Sequence, residues 1–459
     1  MLILESRIFT RAGLRKETLA QEGEIGFRLS PEFPLAGLEE LWMVSLKKPG
    51  RVFYGWWIVV ACFFLSFYVS GVVFYGFTAI FRPIVEEFGW SYVEVSLASS
   101  IRGMEGGLLA PLLGLVIDRW GARKLMVAGV ISAALGLLLM SQMQSLAMFY
   151  LSSILTAVGS SSVGISITTT VVGNWFRKRL GLATGIMICG HGASGLLVPV
   201  IVRLVDLYEW RLAVLILAIG MFTLGLPLAT VVRSRPQRYG YLPDGDESPS
   251  FVDTSDLTRL TAEDGIGAKA AFGSRTIWHI IGGLFPQFIA VGALFTHVMP
   301  YLSSVGFSRS LSSLVTTTIP LISIAGRFGS GWLSDRYDKR VLSTVAIAGL
   351  AISLVCFEFV SSGSGLLLVI FVLLFGLGYG GNLSMLGILL RDNFGSRSYG
   401  TIIGFTWGIL LLGNVVGPPF VAWFFDTWGK YTYSWLVLAG ITFLGGLLMA
   451  MTPRSGEKR

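Results

Sequence analysis

After residue 52 the chain alternates long apolar stretches with short polar connections, and the stretches reach the ~20 residues that a helix needs to cross roughly 30 Å of hydrocarbon. Twelve such runs predict twelve transmembrane helices. Helix 1 is expected from about Tyr54 to Phe81, helix 2 from Val93 to Ile117, helix 3 from Leu125 to Met140, helix 4 from Leu146 to Val172, helix 5 from Leu180 to Val202 and helix 6 from Leu212 to Val232. The second set is expected at Ile277 to Leu302, Leu311 to Leu333, Val341 to Val360, Leu366 to Leu390, Tyr399 to Phe425 and Thr432 to Met451. Between the sets, from Arg233 to Arg275, the pattern stops, and Pro236, Pro243, Pro249 and many acids mark a polar, mobile linker. The expected order is a tail (1–52), a six-helix bundle (53–232), a linker (233–275), a second six-helix bundle (276–452) and a short tail (453–459), in an all-α membrane protein.

The polar positions at the ends of these runs repeat. Gly114, Asp118, Arg119 and Arg123 form G-x-x-x-D-R-x-x-x-R, and Gly331, Asp335, Arg336 and Arg340 restate it 217 residues later. The same shift carries Pro83, Gly89 and Ser91 onto Pro300, Gly306 and Ser308, with Trp90 falling on Phe307. Two motifs in one register make the bundles two copies of one unit, with function expected between them.

Charge adds the orientation. With the N-terminus inside, the short inner connections hold Arg119, Arg123, Lys124, Arg177, Lys178, Arg179, Arg336, Lys339, Arg340, Arg391 and Arg397. The outer ones hold Arg203, Arg211, Arg309 and Lys430, with Arg82 as a borderline fifth, so the positive-inside rule places both termini and the linker in the cytoplasm. The net charge of +8 belongs to these connections in a chain that is 53% hydrophobic and 14% charged, and it implies no nucleic-acid partner. Cys62, Cys189 and Cys356 each sit inside an apolar run without paired or metal-ligand spacing and are expected to pack. No signal peptide is expected, since the first apolar run starts near Phe53 and is too long for one; residues 1–42 suggest a disordered tail or an over-extended start ahead of Met43.

Twelve spans in two parallel repeats, with the D-R motif after helices 2 and 8, resemble the major facilitator superfamily over nearly all of the chain past residue 50. Asn174-Trp175-Phe176 with Arg179 and Gly181 before helix 5 adds to this, echoed by Asn393-Phe394 with Arg397 and Gly400 before helix 11. Within the superfamily, Tyr54-Gly55-Trp56-Trp57, Glu87-Phe88-Gly89-Trp90-Ser91 and Gly326-Arg327 are similar to bacterial members of the monocarboxylate transporter family. The resemblance implies a secondary transporter of small organic anions in the cell (inner) membrane, working by alternating access, with no required oligomer. The family's arginine in helix 8 falls on Arg327. Its lysine late in helix 1 falls on Tyr75 and its aspartate one turn before the arginine on Ser323, so the charged pair that the family uses for proton coupling is absent.

An ionisable side chain at membrane depth costs at least ~2.5 kcal/mol on insertion scales, which makes each one a candidate. Arg327 lies eight residues before Asp335, near the bilayer middle, and its repeat mate is Ala110, so this charge belongs to one half only. A guanidinium offers a planar fork to a carboxylate and keeps its proton, so Arg327 is read as an anion anchor, the alternative being a brace for the helix end. His297 and His191 are candidates for substrate contact or proton coupling, or else interhelical packing. Glu105 is a third proton-coupling candidate, with an intrahelical ion pair to Arg102 as the alternative. Tyr75, Tyr379, Asn382 and Asn414 complete the expected substrate cavity. Asp118, Arg119, Arg123, Asp335, Arg336 and Arg340 are expected to form a cytoplasmic gate by ion pairing.

No nucleophile elbow, phosphate loop, metal-ligand set or cofactor motif appears, so an enzyme is not expected. The reading favoured is a secondary transporter of small monocarboxylates coupled to protons. An oxalate/formate-type anion exchanger is the nearest rival, ahead of a carrier of neutral solutes or drugs. A non-transporting receptor on the same fold would usually add a soluble module, which the polar linker does not provide.

Overall fold

The computed structural model describes residues 53–103, 116, 120–177, 179–234, 236–239, 241, 242, 244, 266–361, 365–395, 398–431 and 433–453, with the backbone of 14–16 and 27–29. The chain divides into two compact units, 1–52 and 53–459. In the first, β1 (Leu14–Lys16) and β2 (Phe27–Leu29) pair antiparallel with Arg15 opposite Arg28.

The second unit is helical. Its first half holds α1 (Tyr54–Phe88), α2 (starting Tyr92–Gly103), α3 (Ala122–Ser141), α4 (Leu146–Ser161 and Ile165–Trp175), α5 (180–208) and α6 (210–231). Its second half holds α7 (Arg275–Ser304), α8 (Arg309–Ser334), α9 (Lys339–Glu358), α10 (Gly365–Phe394), α11 (Tyr399–Trp428) and α12 (Ser434–Ala450). Among the described residues eight helical stretches are long and apolar enough to cross a membrane. One of them, Leu180–Val231, is two spans, because Glu209 turns the chain with φ 62° and ψ 164°. With α4, α12 and the described start of α2, a helical element stands at each of the twelve expected positions, in an all-α membrane fold; the rest of the second expected span, 104–115 and 117, lies outside the described residues.

The elements differ from the expected ones where local chemistry overrides hydropathy. α1 runs past Phe81 to Phe88, since Arg82 and Glu86 pair at 2.6 Å on successive turns and carry the helix into polar sequence. It ends at Gly89, whose φ of 65° is the left-handed closure that glycine adopts freely, and the repeat places Gly306 in the same role at φ 90°. α4 is interrupted at 162–164 by a turn within Gly159-Ser-Ser-Ser-Val-Gly164. α1 contains a π turn, Ser70–Tyr75, in which Gly76 N donates to Gly71 O at 2.8 Å. α5 tightens into a 3₁₀ turn at Ser194–Leu196, and α6 carries a second π turn at Met221–Gly225.

Within each half, glycines let helices approach backbone to backbone. A Cβ on Gly190 of α5 would run into the Phe63 carbonyl of α1, and one on Gly380 of α10 into the Ser323 carbonyl of α8. The halves meet along α2 and α11, α5 and α8, and α1 and α7. Every hydrogen bond or ion pair that joins them among the described residues lies in the bundle's middle or toward the end bearing Gly89, Gly306 and Gly429. At the opposite end, where Asp335 lies, none joins them among the described residues.

Candidate functional site

Arg327 projects from the middle of α8 and is half-buried, and its Nε is shielded from solvent without a hydrogen-bond partner. No carboxylate among the described residues pairs with it. Its charge is felt by two groups of the other half, Tyr75 and His191. Tyr75 is fully buried, and its hydroxyl closes no hydrogen bond although it lies close to the Tyr379 hydroxyl of α10. The Tyr75 ring stands 6.0 Å from that of His191 and meets Phe295 of α7 edge-on at 4.8 Å, while Phe295 reaches Tyr379 at 5.9 Å. Ser70 Oγ lies 2.7 Å from His191 Nδ1. Four of the expected residues, Arg327, Tyr75, His191 and Tyr379, thus converge between the halves, with Ser70 and Phe295 added.

Irregular backbone makes the convergence. Tyr75 and Ser70 occupy the two ends of the π turn of α1, which shifts the helical phase and puts both side chains toward α5 and α7. His191 precedes the 3₁₀ turn of α5, where Ser194 Oγ donates back to the His191 carbonyl at 2.6 Å. Gly192 and Gly195 admit α8: a Cβ on either would sit 2.5 Å from Ile324 Cγ1 or 2.6 Å from Pro320 Cγ. Backbone of this kind is tolerated at membrane depth only when buried in protein or lining a cavity, and here it flanks the one unpaired guanidinium among the described residues of this cluster.

The other expected residues fall elsewhere. His297 is 0% exposed, its Nε2 donates to the Pro418 carbonyl at 2.9 Å and contacts Ser96 Oγ at 3.1 Å, and Nδ1 lies 3.2 Å from Tyr431 OH. It belongs to the seal at the Gly89 end, packed by Phe81 and Tyr92. Ser99 with Thr296 at 2.7 Å and Ser100 with the Val415 carbonyl at 2.6 Å continue that seal inward. Asn382 is satisfied inside the second half, accepting from Ser343 Oγ and donating to Gln287 Oε1, both at 2.7 Å. Asn414 is buried with Oδ1 unpartnered, its backbone pressed against Gly292 of α7 and near Gly103 of α2. Arg102 is buried, stacked 3.5 Å over the Phe77 ring and donating to the carbonyls of Ala98 and Val73. Glu105 lies outside the described residues.

Comparison with known proteins decides the family. The family model described as Major Facilitator Superfamily matches residues 56–410 and 295–459. The chain belongs to the major facilitator superfamily. Among its relatives, monocarboxylate transporter 12 of Rattus norvegicus is 27% identical over 88% of this chain and 87% of its own length. The MFS transporter asaE of Aspergillus flavus is 24% identical over 87% of this chain and 86% of its own. The crystal structure of a D-xylose-proton symporter superposes with a TM-score of 0.65 at 15% identity, covering 88% of this chain and 99% of that one, which shows the shared fold. This superfamily member is therefore a multi-pass membrane transporter related to monocarboxylate transporters, in a family of transporters rather than enzymes.

Of the superfamily's repeated D-R motif, the first copy's Asp118 and Arg119 lie outside the described residues. In the second copy Asp335 ends α8 and makes no ion pair among the described residues. Arg336 stacks 4.1 Å over the Trp332 ring, and Arg340 donates to the Thr452 carbonyl at 2.6 Å and approaches Asp338 at 3.8 Å. Lys339 pairs with Asp392 between α9 and α10. Arg123, at the start of α3, is exposed.

Proposed function

We propose that this transporter carries small monocarboxylates by alternating access, with Arg327 as the carboxylate anchor. One observation carries the reading: a guanidinium near the bilayer middle has a shielded, unpartnered Nε and no carboxylate beside it among the described residues. A cation so placed is destabilising unless an anion completes it, and arginine's planar fork matches a carboxylate's two oxygens. Tyr75, Phe295 and Tyr379 form an aromatic wall suited to a small apolar remainder, and the Tyr75 hydroxyl, close to that of Tyr379, is a donor available beside the charge. The names of the vertebrate relatives support the substrate class, while the bacterial branch rests only on the short motifs of α1, the turn before α2 and Gly326-Arg327 of α8, and the comparisons do not support it.

The positive-inside count supports placing the Gly89 end outside, the Asp335 end and both termini inside, and the protein in the cell membrane. The described arrangement is then closed outward, and the gate of Asp118, Asp335 and their basic neighbours is reserved for the outward-open state. His191, hydrogen-bonded to Ser70 and facing Arg327, is the proton-coupling candidate within the cluster, with His297 and Glu105 as the outlying ones. Anion exchange is the second reading, favoured by Tyr75 and Ser323 standing where a charged pair would couple protons.

Proteoliposomes loaded with and without a pH gradient test both. Labelled lactate or pyruvate enters through the wild type and not through Arg327→Ala of equal folding; acceleration by inward acidity separates symport from exchange. Undiminished uptake by Arg327→Ala would falsify the anchor.

A further inference from the structure

The first four backbone N–H groups of a helix have no partner inside it, and in α2 all four are satisfied in an unequal way. Ser91 N donates to Glu94 Oε2 at 2.8 Å and Glu94 N donates to Ser91 Oγ at 3.1 Å, a reciprocal box made within the first half. The remaining two are taken from the other half. Asp426, near the end of α11, accepts from Tyr92 N through Oδ1 at 2.9 Å and from Val93 N through Oδ2 at 2.8 Å. Next to it Phe425 stacks on the Tyr92 ring with centroids 3.9 Å apart. A carboxylate at a helix N-terminus also meets the positive end of the helix dipole, so the contact joins charge to two aligned donors.

Such a cap is tied to conformation, because α2 moves with one half and α11 with the other. The internal repeat supplies a partner contact. The residue matching Tyr92 is Arg309, at the start of α8, and it reaches Asp206 of α5 at 3.3 Å and the Ala79 carbonyl at 3.2 Å. Each half therefore sends an acid from the end of one helix to the first turn of the other half's gate helix. In α8 the acid meets a flexible, half-exposed arginine, whose pairing in water contributes little. In α2 it meets fixed backbone donors and forms no ion pair among the described residues, so Asp426 is the more discriminating of the two.

We propose that Asp426 is the latch of the outer gate: its carboxylate caps α2 across the two halves, stabilises the outward-closed state and lets go when the protein opens outward. The inference rests on the alternating-access reading and its orientation, but not on the identity of the substrate. The test is a distance measurement without substrate. In a background where Cys62, Cys189 and Cys356 are replaced by alanine, spin labels on the exposed residues Gln144 and Ser310 report the separation of the halves at the outer end by pulsed electron paramagnetic resonance in lipid nanodiscs. Asp426→Asn keeps the shape but turns an NH₂ toward one of the two donors. Val93→Pro removes the N–H that Oδ2 accepts, at a first-turn position that tolerates proline. Each variant is expected to raise the ratio of long to short distances by about 3- to 10-fold, the range for losing a helix cap. Wild-type distance ratios in both variants overturn the latch, while the uptake test of Arg327 is unaffected by that result.

Discussion

The two halves descend from one pattern and use it differently. In the first half, four helices are irregular: α1 and α6 carry π turns, α5 a 3₁₀ turn, and α4 a break at 162–164. In the second, α7 to α12 are described as single uninterrupted helices, although Pro286, Pro300, Pro320, Pro418 and Pro419 lie inside them. The half with regular helices holds the central charge, Arg327. The half with irregular ones holds the groups gathered near it, Tyr75, Ser70 and His191. On the proposed reading, in which Arg327 anchors the substrate, a fixed cation approached by groups on adjustable turns is a division of labour, with the second half setting what is bound and the first tuning how tightly.

That division predicts all-or-none losses from the second half and graded ones from the first. The largest effect is expected for Arg327→Ala, where losing a bidentate charge-assisted contact lowers uptake by about two orders of magnitude with no loss of substrate-free thermal stability. Next, Asn382→Leu strands Gln287 and Ser343 in the buried polar triad of the second half. It should lower stability by about 1–3 kcal/mol in detergent melts while leaving the KM of uptake near wild type. A changed KM with unchanged melting would move Asn382 from scaffold to cavity. On the first-half side, Tyr75→Phe keeps the ring contacts with Phe295 and removes one hydroxyl, so KM should rise about 3- to 10-fold with no change in melting. Smallest is Ser70→Ala, which frees His191 Nδ1 and should raise KM by roughly twofold to fivefold. If Ser70→Ala or Tyr75→Phe abolished uptake as fully as Arg327→Ala, the contrast between the halves would collapse.

Much of the fold is legible because the repeat constrains it. The 217-residue shift finds both halves, and Gly89 and Gly306 mark equivalent left-handed closures that no other residue type adopts as freely. The π turns are not legible: Ser70-Gly-Val-Val-Phe-Tyr75 is apolar almost throughout, so an inserted residue leaves no mark on a hydropathy pattern. The site divides the same way. Arg327 stands out as a charge in an apolar run, and the small neighbours of His191 foretell close approaches that prove to be α1 at Gly190 and α8 at Gly192. His297 stands out equally, yet its partners Pro418 and Tyr431 are more than 120 residues away, and only their convergence places it in the seal. Phe295 and Asp426 give no local signal, one being a phenylalanine among many and the other an acid at a helix end.

The π turn at Ser70–Tyr75 also bears on what the chain can vary. One extra residue rotates everything beyond it by about 100° relative to a regular helix. Thr78, which accepts from Met299 N, and Phe81, which packs on His297, both lie beyond that point, so their aim depends on the number of residues in the turn as much as on their identity. Length is thus the guarded quantity in α1: deleting Val72 should misalign both contacts together, whereas exchanging Val72 for isoleucine should disturb neither, a difference that outer-end distances and melting would show side by side.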